Sequence, residues 1–598
     1  MTFRSLLFIT AGSAALAACA VQTDDIAATN GADGEEVIVT GSRIAREEAD
    51  APTAEPEPAA EADRVLDFAA APPMPMQAGQ GYGGQRLGRA AGALNAAGGL
   101  TGPQLAPQPS PGDIDRERYP DAESNPIQLV SEEPVSTFSV DVDTASYAVA
   151  RRYLESGEAP PSDAVRIEEL INYFDYDYPL PDTREAPFSV SATVAPAPWN
   201  ADSQLLHIGL KGYDIELDQR PPANLVFLLD VSGSMEDPDK LPLLKQSLRM
   251  LVEQLSDDDT VSIVVYAGAA GAVLEPTSGA EKAKILAALD QLSAGGSTAG
   301  GEGLRLAYAL AEENFEDDAI NRIILATDGD FNVGVTSDER LEDFVARKRE
   351  SGVYLSVLGF GRGNYNDRLM QTVAQAGDGT AAYIDSLNEA RKVLHDEMAG
   401  ALFPIADDVK IQLEFNPERV AEYRLIGYET RMLRREDFSN DAVDAGEIGA
   451  GHEVTAVYEI TAPDSAGRRI EETRYGAADE TPSSFENEFG FLRVRYKLPG
   501  EDDSRLIEQP ITNADAVDDI AAAPAETRWA AAVAGYGQLL KREPYTGDFD
   551  YADVIALAQT ARGGDAFGYR AEFIQLARLA ESAAALNPLE RDVAGIGQ

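Results

Sequence analysis

Between residues 224 and 401, short and continuously apolar runs alternate with longer stretches of helical periodicity, a pattern that few folds accommodate. The apolar runs fall at 225–229, 260–267, 322–327 and 354–360. The helical stretches lie near 241–255, 281–292, 303–314, 339–350, 366–376 and 388–401. A strand that is apolar at successive positions must be covered on both faces, and helices crossing between parallel strands supply that cover. The expectation is an α/β fold with a doubly wound, Rossmann-like parallel sheet, in which ligands sit beyond the carboxyl ends of the strands.

Those ends are where polar residues gather. Asp230-Val231-Ser232-Gly233-Ser234 follows the first run, Ser297-Thr298 lies in a glycine-rich loop before a helix, and Thr327-Asp328-Gly329-Asp330 closes the third run. Asp-x-Ser-x-Ser, then a Thr, then an Asp resembles the metal-ion-dependent adhesion site (MIDAS) of von Willebrand factor type A (VWA) and integrin inserted domains. The resemblance implies that Asp230, Ser232, Ser234, Thr298 and Asp328 are metal ligands. Hard cations take oxygen donors, and a small near-octahedral set favours Mg²⁺ over Ca²⁺, with Mn²⁺ as a substitute. Three of these five donors are neutral hydroxyls, so the ion's charge is under-compensated and an open position prefers an anion. In proteins with this site that anion is usually a carboxylate offered by a protein partner. Gly295, Gly296, Gly300 and Gly301 let the Thr298 loop pass close to the ion. Asp330 reads as a solvated loop residue or as an acceptor behind the ligands. Asp230, Ser232 and Ser234 taken alone also fit a capped strand-to-helix turn.

The amino-terminal segment points to the cell envelope. Arg4, an apolar run over 6–16 and Leu16-Ala17-Ala18-Cys19 have the parts of a secretory signal, and the run is too short to span a membrane as a helix. The block resembles a bacterial lipoprotein signal, which implies cleavage before Cys19 and lipidation of that residue. Cys19 is the only cysteine, so no internal disulfide can form. In such lipoproteins an aspartate after the cysteine marks inner-membrane retention, and with Ala20 in that position the resemblance implies the outer membrane, facing the periplasm or the cell surface. Residues 20–130 are rich in Ala, Pro, Gly, Asp and Glu and read as a disordered tether. Inside it, residues 35–44 resemble the TonB box of TonB-dependent receptors, with Val37, Ile38 and Val39 as the residues that would add a strand to a partner's sheet. The plainer reading is a sticky patch in a linker. A net charge of −53 disfavours contact with nucleic acid and with anionic lipid surfaces.

The expected organisation is a signal peptide over 1–19, the tether, a helical amino-terminal module over 131–183, and strands at 184–220 that join a later β-sandwich. A VWA domain over 221–402, the sandwich over 403–515 and a helical region over 516–598 follow. Ser136 to Tyr147, Arg166 to Phe174 and the stretches 421–428 and 444–452 resemble the YfbK-like family of bacterial VWA proteins. Asp141 and Asp143 could form a metal pair, but no third ligand is visible and they read as capping and surface residues. Trp529, Tyr536, Leu539 and Leu540 are expected to pack the terminal helices onto the sandwich.

His207, His395 and His452 are far apart in sequence, and neither a nucleophile elbow nor a phosphate-binding loop occurs, so no residues argue for an enzyme. The function expected is metal-ion-dependent protein binding, as adhesion or scaffolding, by a lipoprotein of the cell envelope. The alternatives are a structural or assembly component in which metal serves stability, or an accessory of a TonB-linked or ATPase-driven envelope machine.

Overall fold

Where each apolar run lands in a sheet follows from what must cover it, and the computed structural model defines this over residues 117–586, apart from 121–122, 185, 216–219, 298–299, 330–337, 398–399, 401, 442, 471–484 and 502. Cys19, Val37, Ile38, Val39, Thr298 and Asp330 lie outside the described residues. The chain enters through β1 (Gln128–Leu129), β2 (Val135–Ser139), helix α1 (Ala145–Glu155) and the short α2 (Ile167–Ile171), then forms a long antiparallel hairpin of β3 (Phe188–Ala197) and β4 (Asn200–Gly212). The α/β unit follows. It contains β5 (Ala223–Asp230), α3 (Leu241–Gln254), β6 (Thr260–Tyr266), β7 (Ala270–Ser278), α4 (Lys282–Asp290), α5 (Gly300–Glu313) and β8 (Ile320–Thr327). It continues through α6 (Asp338–Arg349), β9 (Val353–Phe360), α7 (Asp367–Ala376), β10 (Ala381–Ile384) and α8 (Leu387–Arg391).

The six strands of this unit are ordered β10-β9-β8-β5-β6-β7, all parallel except β7. The expected doubly wound parallel sheet is present, with one antiparallel strand added at that edge. The turn from β6 to β7 closes with Ala267 N donating to Ala269 O at 3.1 Å, and so short a connection can only reverse the chain. Leu225 to Leu229 of β5 are fully buried, as a strand covered on both faces requires. One cover is α3, whose Leu241, Leu244, Leu248 and Leu251 recur on one helical face and are buried.

Two antiparallel sheets, β1-β12-β14-β4-β3 and β13-β11-β15-β16 with β2 beside β11, close the second core. Their later strands are β11 (Pro404–Phe415), β12 (Glu422–Ile426), β13 (Gly446–Gly449), β14 (Glu453–Thr461), β15 (Glu488–Lys497) and β16 (Arg505–Thr512). Ile208, Ile411, Tyr458 and Val494 share one apolar cluster with Leu225 and Phe227, so this core runs on into the α/β unit. The amino-terminal module expected over 131–183 is not wholly helical, because β2 within it pairs with β11, just as β1 before it pairs with β12. The stretch read as tether up to residue 130 also ends earlier than expected. Arg118 N donates to Tyr365 O at 3.0 Å and Asn125 Nδ2 to Gly427 O at 2.7 Å. Besides these hydrogen bonds only single apolar residues such as Tyr119 and Val130 anchor the stretch, which leaves no periodic signal in the sequence. The helices Ala525–Lys541, Tyr551–Ala561 and Tyr569–Leu586 pack Trp529 and Phe573 against Phe174, with Leu205 and Val457 of the sandwich in the same cluster. Among the described residues no helix is long and apolar enough to cross a membrane.

Buried ion pairs join these parts. Arg151 of α1 pairs with Asp385 after β10, with Glu389 of α8 at 2.7 Å and with Glu572 of the last helix at 2.8 Å. Its neighbour Arg152 pairs with Glu117 and donates to Tyr383 OH at 2.7 Å. Asp141 and Asp143 are buried, which corrects the surface and capping reading. Arg431 donates to Asp141 at 2.9 Å and to Asp143 at 3.2 Å. The N–H of Asp143 satisfies the other oxygen of Asp141, and the N–H of Ala381 that of Asp143. A third carboxylate, Glu169, lies close enough to share an ion with them, yet Arg166, Gln371 and Ser146 N already occupy its oxygens. With a donor on all six oxygens, the cluster is an ion-pair core and not a ligand set.

Arg151→Met removes a partner from buried carboxylates and is expected to cost about 3–5 kcal/mol in urea unfolding. Arg249→Ala, which breaks an exposed pair with Asp290, should cost under about 1 kcal/mol, and equal losses would contradict this division.

Candidate metal centre

β5 and β8 are parallel neighbours with Leu229 opposite Ala326, so Asp230 and the Thr327-Asp328 pair leave the sheet side by side. Asp230 is 0% and Asp328 1% exposed. One oxygen of Asp230 accepts from Ser232 N at 2.8 Å, and the other accepts from Thr327 Oγ1 at 3.3 Å. The first of these bonds curls the chain so that the Ser232 and Ser234 hydroxyl oxygens lie 3.0 Å apart. The glycine-rich loop is strapped to this turn, with Gly233 N donating to Gly296 O at 3.1 Å and Gly295 N to Val231 O at 2.8 Å. Gly296 itself has φ +89°, a backbone conformation that favours glycine. The structure therefore brings Asp230, Ser232, Ser234 and Asp328 to one place. Thr298 follows Gly296 by two positions, outside the described residues.

Two buried acids in one crevice repel each other. Burial pushes the Asp230 carboxyl up to about 6, and the Asp328 charge adds to the rise against the opposing Ser232 hydrogen bonds. Sequence reasoning missed the chain's own cation at this place. Lys240 Nζ donates to Asp328 Oδ2 at 2.9 Å, and Asn364 Nδ2 reaches the same oxygen at 3.3 Å. A usable signal existed: Lys240 stands at the amino end of α3, where the helix dipole disfavours a positive charge unless an acid is near. Gly329 supports Asp328 from the next position with φ +100°, and a Cβ there would stand 2.5 Å from Asn364 O and 2.7 Å from Asn366 N.

The donors are carboxylate and hydroxyl oxygens, a set that fits a hard dication and gives a soft one no sulfur or imidazole. His207 takes no part. Its ring is held by Tyr178 OH at 2.8 Å, and burial pushes it down to about 4. Burial drives His452 down to about 4 as well, and His395 contacts Asp396 on the surface.

The family model "von Willebrand factor type A domain" matches residues 224–396, "von Willebrand factor" matches 113–207, and "Uncharacterized protein YfbK, C-terminal" matches 400–583. The uncharacterized protein YfbK of Escherichia coli (strain K12) is 45% identical over 471 residues, which cover 78% of this chain and 81% of that one. The chain belongs to the YfbK family. Its α/β unit is thus a VWA domain, and the YfbK carboxyl-terminal region spans the later strands and the terminal helices. Among solved structures, the von Willebrand factor type A protein of Catenulispora acidiphila is 17% identical, with 66% of this chain and 91% of that chain covered and a TM-score of 0.38. Proximal thread matrix protein 1 of the mussel byssus, described with a zinc-occupied MIDAS motif, is 25% identical over 29% of this chain and 44% of its own, with a TM-score of 0.25.

Gly329→Ala in this YfbK-family chain is expected to cost about 1–3 kcal/mol in denaturation, since it combines a left-handed backbone with a clash against main chain. Gly271→Ala in β7, where a Cβ meets nothing, is the control and should change little.

Proposed function

We propose that this chain is a metal-ion-dependent protein-binding module of the bacterial cell envelope, with the VWA domain as the binding unit. The observation that carries the reading is the convergence of Asp230, Ser232, Ser234 and Asp328 beyond the ends of β5 and β8. Asp230 and Asp328 bring the negative charge, Ser232 and Ser234 bring neutral oxygens, and Thr298 is the fifth ligand by its place in the motif. Mg²⁺, or Mn²⁺ or Ca²⁺ in its stead, would be held by these residues and would supply a Lewis acid for an anionic oxygen. A partner's carboxylate is the ligand that suits it. The buried ion pairs around Arg151 and Arg431 hold the fold by other means, which favours a binding role for the ion over a structural one.

The rest of the reading concerns location. Lipid on Cys19 anchors the chain at the outer membrane. Val37, Ile38 and Val39 are the candidate contact with TonB. Changing all three to Pro should abolish capture by a periplasmic TonB domain; no capture of the parent, or capture that the three substitutions leave unchanged, rejects that contact.

The metal reading is tested with Mn²⁺ on the full chain. One ion should bind, and Asp230→Ala should remove it while the circular dichroism spectrum and the melting temperature in chelator stay near those of the parent. Partner capture from envelope extracts should need Mg²⁺ and fail in chelator or with Asp230→Ala; capture indifferent to both would overturn the proposal. A carboxyl pushed up to about 6 must lose its proton before it ligates, so Mn²⁺ binding should weaken about tenfold from pH 7 to pH 5. Calorimetry at the two pH values checks this.

A further inference from the structure

Lys240 is 4% exposed, although it carries an ammonium at the amino end of a helix. Such a charge is disfavoured by both burial and the helix dipole, and it persists only where the surroundings are built for it. Three features build that place. Asp328 Oδ2 receives Nζ at 2.9 Å, with both side chains nearly inaccessible to water. Gly361, with φ +75°, leaves the slot for the lysine stem, since a Cβ there would overlap its Cγ, Cδ and Cε. Asn364 donates to the same Asp328 oxygen and so keeps it from turning toward the crevice.

We propose that Lys240 is a positioning residue that sets the affinity of the metal centre: it reserves one Asp328 oxygen and opposes a dication electrostatically, so that metal and an anionic partner bind together. The inference rests on the metal-binding reading of the site. Asp230 and Asp328 bring two negative charges, Lys240 returns one, and a dication leaves the crevice with one positive charge in excess. The excess penalises the ion alone and favours it with a carboxylate. A neutral side chain in place of Lys240 would let two carboxylates face the ion unopposed, and metal would then bind tightly without a partner. Simple bracing of Asp328 does not require this charge, since Asn364 already supplies a neutral donor.

The test measures Mn²⁺ affinity of the full chain at pH 7 by electron paramagnetic resonance, for the parent, Lys240→Met, Lys240→Gln and Lys240→Arg. Both neutral variants should bind Mn²⁺ about tenfold or more tightly than the parent, and the arginine variant should not. Sodium acetate should strengthen Mn²⁺ binding in the parent and have a smaller effect in the neutral variants. Damage to the fold weakens binding, so a gain cannot come from structural loss. If the methionine variant does not fold by circular dichroism, the glutamine variant, which can still donate to Asp328, carries the comparison. Acetate dependence in the parent needs no variant, and its absence overturns the proposal. A parent that binds Mn²⁺ beside folded neutral variants that bind no tighter overturns the role of Lys240 alone. Failure of every form to bind Mn²⁺ overturns the metal centre itself.

Discussion

The site depends on one reversal in the central sheet. β5 and β8 lie side by side, but the strands that follow them in sequence, β6 and β9, take up positions on opposite sides. The connections leaving β5 and β8 therefore part company, and a crevice opens beyond their carboxyl ends. Apolar strands carry the chain to the edge of the core, and the first polar residues they release are Asp230 and the Thr327-Asp328 pair. Two acids at such a place are costly unless something positive stands between or beside them. Lys240 supplies part of that charge from within the chain, and a dication is the natural source of the rest.

The domain that bears this crevice is tied by buried ion pairs to the described strands and helices on either side of it in sequence. Arg151 and Arg152 on α1 grip the end of β10, the helix after it and the terminal helix, and Arg431 reaches Asp141 and Asp143 from the sandwich side. Buried pairs of this kind gain little net stability over apolar packing, but losing one partner is severe. They link α1 to the end of the α/β unit and to the terminal helix. A ligand-binding crevice profits from such a mount, because ligands on rigid elements stay in register with their donors.

Much of this was legible in the sequence, for physical reasons that also explain the remainder. Runs such as 225–229 and 322–327 are apolar at every position because both faces are covered, and the residues after them form a motif of fixed spacing, so the α/β fold and the positions of Asp230, Ser232, Ser234 and Asp328 could be read directly. β7 and β10 could not. Ala270–Ser278 is half exposed at the sheet edge, and Ala381–Ile384 is too short to show a period. Asp141 and Asp143 were misplaced on the surface because their counter-charge, Arg431, stands 290 residues away and no local pattern joins them. Lys240 was hidden for a related reason. Its place at a helix start asks for a nearby acid, but which acid that is appears only once the strand ending in Asp328 is placed beside it.

The central claim is that these oxygens share one dication. Crystals of the full chain grown with Mn²⁺ and measured near the manganese edge test it most directly. The account predicts a single strong anomalous peak within about 2.5 Å of the Ser232 and Ser234 hydroxyl oxygens, beside Asp230 and Asp328. A map with no peak there, or with manganese bound only at other acids, would contradict it.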